Sequence, residues 1–254
     1  SSLLEFYHDR KFAAYRSVFP QINQSTFKSY PVEIPSNPEL VDLVSNRETY
    51  TANRGELTTE LMMYLGRPDY QISLEEIGRY QPEAEPSSPL HSTTKNLRKL
   101  KIEQIAVDRE TTHSISVSAT ARYKPENDEQ HDLDGHGYTE TDYLPAFRIT
   151  DLAETEADLI EHFVPVAVDE AGGFANFREN ATKTNSLVDR LQAIELPDVD
   201  DVADDLANYL RTVERAEELD EKIAQTDALI DEIVYELYGL TDEEIGIVEE
   251  AVGE

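Results

Sequence analysis

The chain has 254 residues, 39% hydrophobic and 8% aromatic, enough to bury the core of one large domain or two small ones. It contains no cysteine, which excludes disulfides and thiolate chemistry, and no apolar run long enough for a membrane span. Against 22 Lys and Arg stand 53 Asp and Glu, a formal net charge of −31.

The acidic residues are spread over the whole chain instead of forming one tail. This pattern fits a surface adapted to high salt, as in halophiles, better than an acidic tail or a nucleic-acid mimic. In molar salt charge repulsion is screened within about 3 Å, and counterion release fades as a driving force. Net charge therefore counts against nucleic-acid binding less than it would in an ordinary cytosol. A cytoplasmic protein without membrane association is expected.

In chain order, Leu3, Leu4, Phe6, Tyr7, Phe12, Tyr15 and Phe19 form a dense apolar set on a predicted helix, so the chain opens inside a packed element, as an excised piece would. Breaks at Pro20, Pro31, Pro35 and Pro38 predict a loop, a short helix capped at Ser25 or Thr26, and an extended exit. Leu40 to Leu65 has helical spacing up to Gly66-Arg67-Pro68, and Ser73 with Glu76 is a capping pair for a second helix to Tyr80. Residues 81–89, QPEAEPSSP, form the best linker.

Beyond it the period changes to two. Residues 100–107 and 113–123 are predicted strands around a turn at Asp108 to Thr112, followed by a polar loop to Gly137 and a strand from Thr139 to Thr150 interrupted at Pro145. Thr155 to Val164 is a predicted helix that Pro165 ends, and Val166 to Val168 a short strand. Phe174 to Leu196 is predicted helical, with Pro197 introducing the last helix.

That last helix carries Val202, Leu206, Tyr209, Val213 and Ala216, then Leu219, Ile223, Thr226, Ile230, Ile233 and Leu237, in steps of four and three. Such steps keep one stripe on one face, a seam for a partner helix inside the chain or in a second copy. Gly239 sits where a left-handed cap is wanted, and Thr241 with Glu244 opens a closing helix. The expected fold is α+β, with a helical part over 1–80, an α+β domain with a small antiparallel sheet over 90–196, and a long helix with its short closing helix over 197–254.

The residues that carry chemistry are few. The only Asn-Pro, Asn37-Pro38, is followed by Glu39, and Gly172-Gly173 lacks the spaced glycines of a nucleotide or cofactor turn. There is no phosphate-binding P-loop and no Gly-x-Ser-x-Gly elbow. No catalytic, cofactor-binding or metal residues are assigned. His131-Asp132-Leu133-Asp134-Gly135-His136 has donors for a metal, but it lacks a second anchoring pair, and a solvated loop is the simpler reading.

Because basic residues are scarce, their grouping is the better signal. Lys95, Arg98, Lys99 and Lys101 place four of the 22 within seven residues, beside Thr93 and Thr94. Cations with small hydroxyls suit a phosphate backbone; pairing with neighbouring Glu is the structural alternative. A second group is Lys183 with Asn185, between Arg178 and Arg190, where capping is the alternative. Arg16 and Lys28 form a third.

The tail phrase IDEIVYELYGLTDEEI, residues 230–245, closing with Ile247-Val248-Glu249, resembles the C-terminal end of large adenine-specific DNA methyltransferases of type IIG and related restriction–modification systems. A second phrase, Leu3 to Pro35 with STFKSYPVEIP, resembles the closing part of a TaqI-like specificity domain and the ends of type I specificity-subunit recognition domains. The resemblance implies a non-catalytic C-terminal portion that helps position double-stranded DNA. It also implies a catalytic methyltransferase domain or partner subunit outside this chain, which would hold S-adenosylmethionine. The alternatives are a structural or oligomerisation module, packed on a methyltransferase core or dimerised through the long helix, and a hydrolase using the His131 to His136 loop.

Overall fold

The structure, a computed structural model, describes residues 37–66, 69–82, 88–126, 131–169 and 186–252. It is α+β, as expected, and falls into two compact units. One spans Glu60 to Leu210. The other combines the described residues up to Thr59 with the described residues from Arg211 onward.

The Glu60–Leu210 unit holds helix α2 (Leu61–Leu65), strand β1 (Tyr70–Ser73), a 3-10 turn (Leu74–Glu76), β2 (Arg79–Pro82) and α3 (Pro89–Thr94). Then come β3 (Arg98–Thr111), β4 (Ser114–Lys124), β5 (Thr139–Glu140), β6 (Leu144–Thr150), α4 (Glu154–Asp169), α5 (Leu187–Gln192) and β7 (Glu195–Pro197). The main sheet has the order β2-β6-β4-β3, with β5 added on β4, and every pairing in it is antiparallel. β1 and β7 form a separate antiparallel pair.

Alternation along β4 sends Ile115, Val117, Ala119 and Ala121 into the core, all fully buried. Phe147 and Ile149 of β6 stand opposite Val117 and Ile115 and are buried with them. α4 lies against β3 and β4 and buries Ala157, Ile160, Phe163, Val164 and Ala167. Arg109 ties this helix to the β3–β4 turn. Its guanidinium donates to Asp158 at 2.8 Å and Glu161 at 3.2 Å on α4, and to the carbonyls of Thr111 and Thr112 in the turn.

Three local expectations are corrected here. Pro165 does not end α4, which runs through it to Asp169, so Val166 to Val168 is helix and not strand. Burial of Phe163, Val164 and Ala167 around it outweighs the hydrogen bond that proline removes, an interior-proline cost of roughly 3 kcal/mol. Ser73 and Glu76 do form their capping box, with the Ser73 N–H donating to Glu76 at 3.1 Å, but it opens a single 3-10 turn. Gly78, at φ +61°, turns the chain directly into β2, where a Cβ would stand 2.7 Å from the Thr150 carbonyl. Finally, the segment before Pro197 is not all helix: α5 stops at Gln192, and residues 195–197 pair with β1.

The second unit is built on the far part of α6, the 40-residue helix Val199–Tyr238, with α1 (Pro38–Gly55) and α7 (Asp242–Val252). The helix expected from Leu40 to Leu65 is two helices, ended at Gly55 and at Gly66 (φ +63°). Asn37 caps α1 by accepting from the Glu39 N–H at 3.0 Å, and Pro38 occupies its first turn. On α1 the less exposed positions are Leu40, Leu43, Arg47, Tyr50 and Arg54, alternating by three and four.

α6 runs antiparallel to them. Arg54 pairs with Asp220 at 2.9 Å, Arg47 with Asp227 at 2.8 Å, and Leu40 packs with Ile230 and Val234. Each step of seven up α1 meets a step of seven down α6. The expected stripe is buried at Val202, Leu206, Tyr209, Ala216, Leu219, Thr226 and Ile230. It then drifts to Val234 and Tyr235, leaving Leu237 exposed, because a straight helix slips against a strict seven-residue repeat. Gly239, at φ +63°, closes α6 with the Leu240 N–H donating to the Tyr235 carbonyl at 3.1 Å. Thr241 and Glu244 cap α7 reciprocally. Among the described residues no helix is long and apolar enough to cross a membrane.

Candidate nucleic-acid interface

The first basic group lies where α3 hands the chain to β3. Ser88 caps α3 by accepting from the His91 N–H at 3.2 Å, and Lys95 is the residue after its last turn. Thr93 is exposed. Thr94 is buried, its hydroxyl donating to the Leu90 carbonyl at 2.7 Å, so it cannot meet a phosphate. Arg98, Lys99 and Lys101 are exposed on β3. Lys183, Asn185, Arg16 and Lys28 lie outside the described residues.

Pairing of β3 with β4 then adds cations that are distant in sequence. Arg98 stands opposite Lys124, and Lys101 opposite Arg122. Residues 122 and 124 share a face of β4, so Arg98 and Lys101 must share that face too. In a regular strand a three-residue offset would put them on opposite faces. A register shift between them removes the conflict, with Lys99 in the left-handed region at φ +57°. This is a bulge made with a lysine where glycine or asparagine is the easy choice.

Like charges directly opposite destabilise a ribbon, and here there are two such pairs in succession. They are partly compensated. Arg98 pairs with Glu126 at 3.4 Å, with both side chains 79% exposed, so that pair contributes little. Arg122 is more firmly held: it pairs with Asp134, lies 3.6 Å from Glu103, and stacks 4.9 Å over the Tyr138 ring. Lys101 sits 5.8 Å from the centroid of the same ring. Lys95, Lys99, Lys101 and Lys124 make no ion pair with a described carboxylate.

The loop before β5 is shaped by Asp134. Its carboxylate accepts from the N–H groups of Tyr138 at 2.9 Å and His136 at 2.8 Å. These bonds and the Arg122 guanidinium hold its pKa down at about 2. The Arg122 pKa is raised in turn, chiefly by the bond to Asp134. Arg122, Asp134, Tyr138, Glu103 and Glu140 line an open depression of about 350 Å³. A neighbouring one, about 550 Å³, lies between Asn96, Arg98, Tyr123, Lys124 and His131.

As a metal site the loop fares poorly. Asp134 is engaged by its own turn, His131 meets the Tyr123 ring edge-on at 6.0 Å, and no described group of three His, Asp or Glu is arranged to hold a metal ion. None of the glycine turns at Gly66, Gly78, Gly137 and Gly239 joins a strand to a helix N-terminus.

Sequence reasoning missed Arg122, Lys124 and Tyr138. The signal available was their place in β4 and beyond the loop, but the hairpin register was needed to bring them to Arg98 and Lys101. Comparison with protein-family models, curated proteins and solved structures returned no match.

Proposed function

We propose that this chain is a non-catalytic DNA-positioning portion of an adenine-specific restriction–modification methyltransferase. In this reading methyl transfer and S-adenosylmethionine belong to a catalytic domain outside the chain. The tail phrase and the Leu3 to Pro35 phrase supply the family. The supporting structural observation is the ribbon face of Arg98, Lys101, Arg122 and Lys124, two like-charged cross-strand pairs in a chain of net charge −31. A cationic ribbon suits phosphates or the major groove, which admits a two-stranded β-ribbon.

The test is fluorescence anisotropy of duplex DNA with the 254-residue chain over a salt series. Binding is expected, and Lys101→Gln with Lys124→Gln together should weaken it and lower the salt slope by about two, at roughly 0.9 per lost phosphate contact. Absence of binding from low to molar salt would remove the proposal.

A packing role on a methyltransferase core is the second reading. Val41 and Val44 of α1 favour it, 62% and 40% exposed, Val41 on the side of the helix away from its α6 seam and Val44 on the flank of that seam. The homodimer version loses its main ground, because the α6 stripe from Asp220 to Val234 is met by the chain's own α1. A dimer by light scattering in high salt would restore it.

A further inference from the structure

We propose that Arg122 marks the principal phosphate position of this interface, and that Asp134 occupies that position in the free protein as a built-in competitor. The inference rests on the DNA-positioning reading and assigns a regulatory contact to the same site.

The reasoning begins with how Arg122 is presented. Its planar guanidinium lies against Tyr138, which fixes its orientation, and it is the partly buried member of an otherwise exposed cationic face. A carboxylate and a phosphate present the same pair of oxygens to a guanidinium. Asp134 is therefore a fair stand-in for a phosphodiester. Its two oxygens have different tasks. Oδ1 takes the N–H groups of His136 and Tyr138, which build the turn, while Oδ2 meets Arg122. The turn needs only an oxygen acceptor; the contact with Arg122 needs the charge.

Lys101 and Lys124 flank Arg122 on the same face without ion pairs to described carboxylates, so an incoming phosphate would gain two further cations that Asp134 does not engage. The depression is open, leaving room for the exchange, but Glu103, 3.6 Å from Arg122, and Asp132 and Glu140 line it as well, and these remaining carboxylates limit the gain on removing the Asp134 charge.

Asp134→Asn separates the two tasks. The Asn carbonyl oxygen can still accept both backbone N–H groups, but the charge facing Arg122 is gone. Duplex DNA binding by Asp134→Asn should be tighter than that of the unaltered chain, by about fivefold for an exposed-to-half-buried ion pair. Arg122→Gln should abolish this gain and lower the salt slope by about one. A chain that binds DNA while Asp134→Asn binds equally or more weakly overturns the inference and leaves the DNA-positioning reading standing. Failure of both to bind at any salt overturns both. Binding by Asp134→Asn at a salt concentration where the unaltered chain, which binds at another, shows none supports the competitor in its strongest form. Circular dichroism and a thermal midpoint matching the unaltered chain show that the variant is folded; Asp134→Ala, which loses the turn bonds as well, gives the effect of disrupting the loop.

Discussion

Lys99 and Asp134 each hold a position that an ordinary residue would not. Lys99 takes a left-handed backbone at a cost of roughly 1–3 kcal/mol for a side chain that is not glycine. Lys99→Gly should therefore raise stability by about 0.5–1 kcal/mol, after glycine's own entropic cost, as read by chemical denaturation at fixed salt. Lys99→Val, stiff at Cβ, should lower it. If neither moves, the bulge is not strained. Asp134 titrates at about 2, against an ordinary 3.8, because the Tyr138 and His136 N–H groups and then Arg122 favour its charged form. A depressed carboxyl contributes stability that is complete above its unfolded value and is lost as pH falls through the folded value. The Asp134 contribution is thus present above about pH 4 and disappears toward pH 2. A carboxyl NMR titration with a midpoint near the ordinary value would contradict the contact.

The α1–α6 pair shows how an element with weak apolar content is held. Its seam contains leucines at one end and arginines at the other, with Leu40, Ile230 and Val234 forming a small buried cluster. Leu40→Ala should cost about 2 kcal/mol, the low end for a buried leucine, because the cluster is small and its neighbours can relax. The Arg47–Asp227 pair is about 40% exposed on both sides, so solvent screens it. A double-mutant cycle should return about 0.2–1 kcal/mol of coupling, falling as salt rises. What the arginines add is register: sliding α1 by one turn would leave Arg47 and Arg54 beside apolar residues and expose Leu40.

At the scale of the molecule the excess of acid dominates. A net charge of −31 repels itself over about 30 Å at 0.01 M salt and over about 3 Å at 1 M. The thermal midpoint should rise by several degrees between these conditions, a response calorimetry can follow. An unchanged midpoint would mean that the carboxylates are balanced locally. The same screening sets the range of the candidate interface: its cations act only on phosphates that come close, so contact geometry matters more than the long-range field.

What the sequence determined by itself is whatever depends on neighbours within about four residues. The capping pairs Ser73–Glu76 and Thr241–Glu244, the left-handed Gly239 and the long α6 were legible, since each is closed by bonds inside its own segment, and the period-two strands were legible from the alternation of their own side chains, although their bonds run to other strands. Tertiary structure decided the rest. A capping box cannot say how far its helix will run, so Ser73 opened one turn. A proline's local cost cannot say whether burial will exceed it, so α4 passed through Pro165. The stripe on α6 announced a partner without naming α1. The candidate site is the sharpest case: the run Lys95 to Lys101 was visible, but alternation alone would have split Arg98 from Lys101. Only the bulge and the pairing with β4 put them on one face with Arg122 and Lys124, because register is a property of two strands and is written in neither.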